Sequence, residues 1–145
     1  MKRKAALRVT AKVLIPPILL FALYVQFHGD FGPGGGFQAG VIFASAFILY
    51  ALLFGVANAR RVAPAGVVRA TLALGVLLYA GVGFASLVLG GPYLDYSILA
   101  HDPVHGQHLG IMLIEFGVGT TVASAMITIF FIFAGQDPRI GREER

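Results

Sequence analysis

Residues 109–134 read LGIMLIEFGVGTTVASAMITIFFIFA, 26 residues with one charged side chain, Glu115. An α-helix needs about 20 mostly apolar residues to cross the roughly 30 Å hydrocarbon core of a bilayer, so this run is long enough to span. Its glycines and hydroxyls do not oppose that reading, because small residues are what membrane helices use to approach one another. Three further runs qualify: 8–27, 38–57 and 67–90. The first carries Lys12 one turn inside its start and then Pro16-Pro17. Lys12 can snorkel to the headgroups, and a proline pair near a helix end is tolerated more easily than one at mid-membrane. The expected fold is an all-α membrane protein, a polytopic bundle of four transmembrane helices, with residues 1–145 forming a single membrane domain.

Composition agrees. Of the 145 residues, 57% are hydrophobic and 12% charged, whereas soluble domains carry about 25% charged residues. No cysteine is present, which removes thiol catalysis, disulfides and thiolate metal centres. A net charge of +4 would suit nucleic acid, but the bases sit at the ends of apolar runs and read as topology signals. Lys2, Arg3, Lys4, Arg8 and Lys12 open span one; Arg60, Arg61 and Arg69 surround the connection from span two to span three; Arg139, Arg142 and Arg145 follow span four. The connections 28–37 and 91–108 hold no Lys or Arg. All the bases thus lie on one side, and the positive-inside rule makes that side cytoplasmic, with both termini inside. A cleaved signal peptide is the rival reading of the N-terminus, but no small-x-small site follows the first run. The expected location is a bacterial inner membrane.

Helical spacing of 100° per residue puts Gly36, Gly40, Ala44, Ala51 and Gly55 on one face of span two and Gly75, Tyr79, Gly83, Ser86 and Gly90 on one face of span three. Span four has two faces. Gly117, Thr121, Ser124 and Thr128 form a small, polar stripe, and Glu115 and Gly119 lie opposite. Packing signatures on both sides suggest protein on both sides, and hence partner subunits beyond the four helices.

Glu115 is the one acid inside a span, about two turns from the outer end of the run. A charged acid at the bilayer centre costs about 2.5–3.5 kcal/mol on insertion scales, so such residues face protein or water and serve a pathway. Desolvation favours the protonated form, giving a carboxyl able to exchange a proton or hold Na⁺. The plainer alternative is a protonated side chain bonded to nearby backbone. His101, Asp102, His105 and His108 have spacings that a helix could gather around Zn²⁺; Pro103 and Gly106 oppose a continuous helix there, so no metal site is expected. The run Gly32-Pro33-Gly34-Gly35-Gly36-Phe37-Gln38 opens a span as phosphate cradles open helices, but it lacks the Gly-Lys-Ser/Thr ending of a P-loop. It reads as a compact turn that brings backbone against a neighbour and caps span two, with Gln38 just inside and Phe37 anchoring at the interface.

These residues are also familiar as a set. His28-Gly29-Asp30-Phe31-Gly32-Pro33-Gly34-Gly35-Gly36-Phe37-Gln38-Ala39-Gly40-Val41-Ile42, followed by Ala44-Ser45-Ala46-Phe47, resembles the B-type small subunits of the multi-subunit Mrp-type Na⁺(K⁺)/H⁺ antiporters. The later stretch from Gly106 to Thr120, GQHLGIMLIEFGVGT, looks like the same family. The resemblance covers most of the chain, from about Arg8 to Ala134. It implies a small four-helix subunit of a hetero-oligomeric complex, whose large subunits resemble the proton-pumping arm of respiratory complex I and carry the main proton machinery. The implied partners are those large subunits, other small membrane subunits and the bilayer, with Na⁺ or K⁺ and H⁺ as transported ions and no cofactor or nucleic acid. The motif carries over to Pro33, Gly34, Gly35, Gly36, Phe37, Gln38 and Gly40, and the ion-route candidate is Glu115. Gly83, Gly117, Gly119 and Thr121 are the helix-packing candidates.

With no mid-membrane Lys, the chain reads as supporting assembly or lining a cation route, not as a whole antiporter. A self-sufficient four-helix proton-coupled exporter would need an acid in span one, which has none. A purely structural scaffold would tolerate loss of the Glu115 carboxylate. No nucleophile–base pair points to an enzyme.

Overall fold

A computed structural model of the chain describes residues 2–29 and 34–136. Among the described residues there are five α-helices, one 3₁₀ turn and no strand: α1 Lys2–Phe27, α2 Gly36–Phe54, α3 Val56–Val62, α4 Ala65–Val88, the 3₁₀ turn Tyr96–Ile98, and α5 Pro103–Gln136. Four of the helices, α1, α2, α4 and α5, are long and apolar enough to cross a membrane. Their boundaries correct the sequence reading in several places. Helix α1 begins at Lys2, so Pro16-Pro17 lie in its middle and not near its end. It continues through them, and both prolines are exposed. Lys12 reaches the end of α2, with its Nζ 6.0 Å from the Phe54 ring centroid. Span two does not run to Ala57. Gly55 adopts φ 95°, which favours glycine, and stops α2; the chain restarts at once as α3. Span four begins earlier than expected, at Pro103. Proline at a first helical position costs no hydrogen bond, and the Asp102 carboxylate accepts from the Val104 N–H at 3.3 Å. Gly106 suits this helix because a side chain there would press on the carbonyl oxygens of Tyr96 and Ser97.

The spans stand in the order α1–α2–α5–α4, with α5 in the middle and touching α1 only lightly. The row is bowed, so residues of all four spans line one groove of about 440 Å³. Both faces of α5 are therefore occupied within this chain. A Cβ on Gly117 would lie 3.0 Å from the Gly75 oxygen and 3.2 Å from the Tyr79 nitrogen of α4. The place a Gly75 side chain would take is filled by the Thr121 hydroxyl, which donates to the Gly117 oxygen at 2.8 Å. On the opposite side, a Cβ on Gly119 would lie 3.1 Å from the Gly36 oxygen of α2. The two-faced pattern of α5 is thus satisfied by its own neighbours and is no evidence of partner subunits. Gly83 likewise faces this chain: the ring of Tyr93, from the loop after α4, covers it. Two other face assignments fail at helix ends, where Gly55 and Gly90 are exposed at positive φ, 95° and 89°.

A cluster of buried apolar side chains lies at the end of the row that carries Lys12 and Arg60. It joins Ala44 and Ala51 of α2, Val56 and Ala59 of α3, Val68 of α4, and Ile127, Phe131 and Ala134 of α5. Phe47 meets Phe131 edge-on, with centroids 5.9 Å apart. The Arg60 guanidinium lies 5.4 Å from the Phe131 ring centroid and donates to the Phe131 oxygen at 3.3 Å.

Candidate functional site

At the opposite end, helices α2 and α5 meet through backbone. The residue that the contact is built around is Glu115, twelve positions into α5. Three glycines surround it. Gly29 follows the end of α1, Gly35 caps α2 and Gly36 is the first residue of α2. A Cβ on Gly29 would fall onto both carboxyl oxygens of Glu115, and one on Gly35 would come within 2.7 Å of Oε1. One on Gly36 would strike the Glu115 main chain, with the carbonyl carbon at 2.7 Å and Cα at 2.9 Å. Any side chain at these positions would displace either the carboxyl or the helix that carries it. Gly35 and Gly36 bring backbone against span four of the same chain. Oε1 thus sits beside the N-terminus of α2, where peptide dipoles favour negative charge.

A cavity of about 310 Å³ opens beside the carboxyl, lined by Gln26, Phe27, Gly29, His108, Leu109, Met112 and Glu115. Gln26 is 8% exposed, and its Oε1 lies where a Gly119 side chain would go. The sequence reading does not single out Gln26. The signal is a polar residue at the end of an apolar run, which is also how an ordinary interface residue looks.

The other motif positions have different surroundings. Gly34 has φ 140°, a region where other residues are strained, and a Cβ there would meet Val25 at 3.0 Å. Gly40 packs on α5, where a Cβ would lie 2.6 Å from the Gly119 oxygen. Phe37 is 59% exposed on the outer surface of the first turn of α2. Gln38 is exposed as well, and α2 has no side-chain cap, so the capping expected near Gln38 falls to the Gly35 backbone. Pro33 lies outside the described residues.

The loop after α4 packs onto α5. Asp95 Oδ1 accepts from the Ser97 hydroxyl at 2.6 Å and from the Ser97 N–H at 3.0 Å, and these bonds, the hydroxyl first, hold its carboxyl below the ordinary range. The Tyr96 ring covers Gly110, and burial there pushes its phenol up. His105 Nδ1 lies 3.1 Å from Asp102 Oδ2 in an exposed pair. Among the described residues no three potential metal ligands converge.

Two comparisons with known proteins bear on this arrangement. A family described as "Domain related to MnhB subunit of Na+/H+ antiporter" matches residues 6–128. Proteins named "Putative antiporter subunit mnhB2" from Staphylococcus aureus strains Newman, JH1 and Mu3 are each 33% identical over 132 residues, covering 89% of this chain and 93% of theirs. The four apolar helices and these relatives together make the protein a multi-pass cell-membrane protein, and the chain belongs to the MnhB-related family of antiporter subunits.

Proposed function

We propose that this chain is a small membrane subunit of a multi-subunit monovalent cation/proton antiporter, in which Glu115 takes part in the ion route and the four-span row supports assembly. The observation that carries this reading is the convergence of Gly29, Gly35 and Gly36 on Glu115. Two segments, the end of α1 and the start of α2, meet the carboxyl there with no side chain of their own, beside a cavity of about 310 Å³. Ionisable groups within spans are expensive and mark ion pathways when they border a cavity. The partners are other membrane subunits of the complex, the large proton-translocating ones included, and the transported ions are Na⁺ or K⁺ and H⁺. We read the chain as a transport subunit and not an enzyme, forming one membrane domain.

The test is exchange by the assembled complex in membrane vesicles. Glu115→Gln keeps size and hydrogen bonding but cannot ionise; it should lower exchange or move its pH optimum, while Glu115→Asp keeps part of the activity. Full activity with an unchanged pH profile in Glu115→Gln would favour a scaffold. The proposed orientation, basic end inside, is tested in the natural cysteine-free background. A single cysteine at Ser97 should label from outside and one at Asn58 should not; outside labelling at Asn58 would reverse the topology.

A further inference from the structure

Two of the spaces that border α5 share one buried side chain. The cavity beside Glu115 and the groove on the bowed side of the row share Gln26. Its amide is 8% exposed and lies against Gly119, one helical turn from Glu115. Beyond it, the groove holds the hydroxyl residues Thr120, Ser124 and Thr71. The last two are paired across α5 and α4 at 2.9 Å. From Glu115 to Ser124 is about 14 Å along the helix, roughly half of a 30 Å hydrocarbon core. The rest of the groove wall is mostly apolar, with Phe43, Phe47 and Ile127 among its residues.

Burying an amide costs free energy that a leucine in the same apolar wall would not. An amide also has a property suited to a carboxyl that changes protonation. Its NH₂ can donate to a carboxylate, and its oxygen can accept from a protonated carboxyl. We propose that Gln26 is a positioning residue for Glu115. Its amide bonds the carboxyl, directly or through one water, in both protonation states, and it joins the Glu115 cavity to the hydroxyl-bearing groove as the next station of a proton route. This inference rests on the reading of Glu115 as an ion-route group. Among the described residues the other titratable groups at this end are His108, which lines the cavity, and His28, stacked on Tyr24 at 4.8 Å. Among the described residues no Lys or Arg lines either space.

The experiment measures cation-driven proton movement in vesicles holding the whole complex, normalised to the amount assembled, across pH. Gln26→Leu removes the donor to the carboxylate. It should lower exchange by about tenfold, the scale of one hydrogen bond to a charged group. It should also move the pH midpoint alkaline, by up to about one unit, because the amide's bond to the charged carboxylate is stronger than its bond to the neutral carboxyl and the charged form loses more. In a Glu115→Gln background the same change should add no further loss or shift, whereas an effect acting through His28 or His108 would persist. Gly119→Ala provides a second route: its methyl displaces the flexible end of the Gln26 side chain and meets the Gly36 oxygen at 3.1 Å, a contact that a shift of a few tenths of an ångström relieves, and it should give a smaller shift of the same sign. It decides the matter if Gln26→Leu fails to assemble. Wild-type rate and midpoint in the variant that assembles, with Glu115→Gln still impaired, would overturn the role of Gln26 and leave that of Glu115 standing. A silent Glu115→Gln would remove both.

Discussion

Helices α2 and α5 touch at both ends of the row, but by different means. Near Arg60 they are held by side chains: Phe47 stands edge-on to Phe131, and small residues of α2 and α3 fill the space around the two rings. Near Glu115 they are held by backbone, since a methyl group on Gly36 would already strike the α5 main chain. Side chains can adjust to a neighbour by changing rotamer; a main chain cannot. The end with rings is therefore suited to hold the row together, and the end with glycines to fix one carboxyl against two helix ends. A glycine cluster in this chain marks where position matters more than packing volume.

That contrast can be broken at either end. The largest effect is expected at Gly36. In Gly36→Ala the added carbon has no rotamer that avoids the Glu115 carbonyl, so α2 and α5 must part. Overpacking of this kind costs about 3 kcal/mol or more, and native electrophoresis of membranes should show most of the assembled complex gone. Normal assembly would mean that the helices separate at little cost and that the close contact is not needed. Phe131→Ala should have a smaller effect of another kind. The transfer term is weak between lipid and a protein interior, which leaves the cavity term, about 2 kcal/mol at roughly 24 cal/mol per Å³. Thermal stability of the purified complex should fall, with the pH profile of exchange unchanged. A shifted profile in Phe131→Ala would show that the two ends are not separable.

The smallest effect belongs to the loop that packs over α5. Ser97 lowers the pKa of Asp95 in the folded chain, so the contribution of this bond is complete above the ordinary carboxylate range. It is lost as pH falls through the lowered value. Hydrogen-exchange protection of the Ser97 amide, corrected for intrinsic rate, should be level near neutral pH and drop only in acid. In Asp95→Ala it should be low throughout; equal protection in the two proteins would show that Asp95 does not hold the loop.

The four spans are legible because an apolar run of span length has few other meanings, and the placement of Arg60 and Arg61 between two such runs, with Arg69 in the first turns of the second, points to the connections that share a side. Boundaries are harder to read, for definite reasons. Pro103 looks like a helix breaker, although as a first helical residue it is a helix starter. Gly55 falls on a packing face by spacing, although its positive φ ends the helix. Glu115 and the glycine turn are each legible as candidates, but their meeting is not. Spacing shows which residues share one helix face; it does not show which face of another helix lies opposite. The same limit makes Gly117 and Gly119 look like a sign of partners when their neighbours are α4 and α2. Gln26 stays hidden because its importance comes from the two spaces it lines, and those exist only once α1 and α5 have both packed on α2 and the Gln26 side chain reaches Gly119.

The central claim is that Glu115 changes protonation while held among Gly29, Gly35 and Gly36. Infrared difference spectroscopy on the purified complex measures this most directly, by following the carbonyl stretch of protonated carboxyl groups as pH is raised or the cation is added. The expected result is a protonated-carboxyl band that disappears under both treatments in the wild-type complex and is missing from the difference spectrum of Glu115→Gln. Superimposable difference spectra from the two complexes would contradict it.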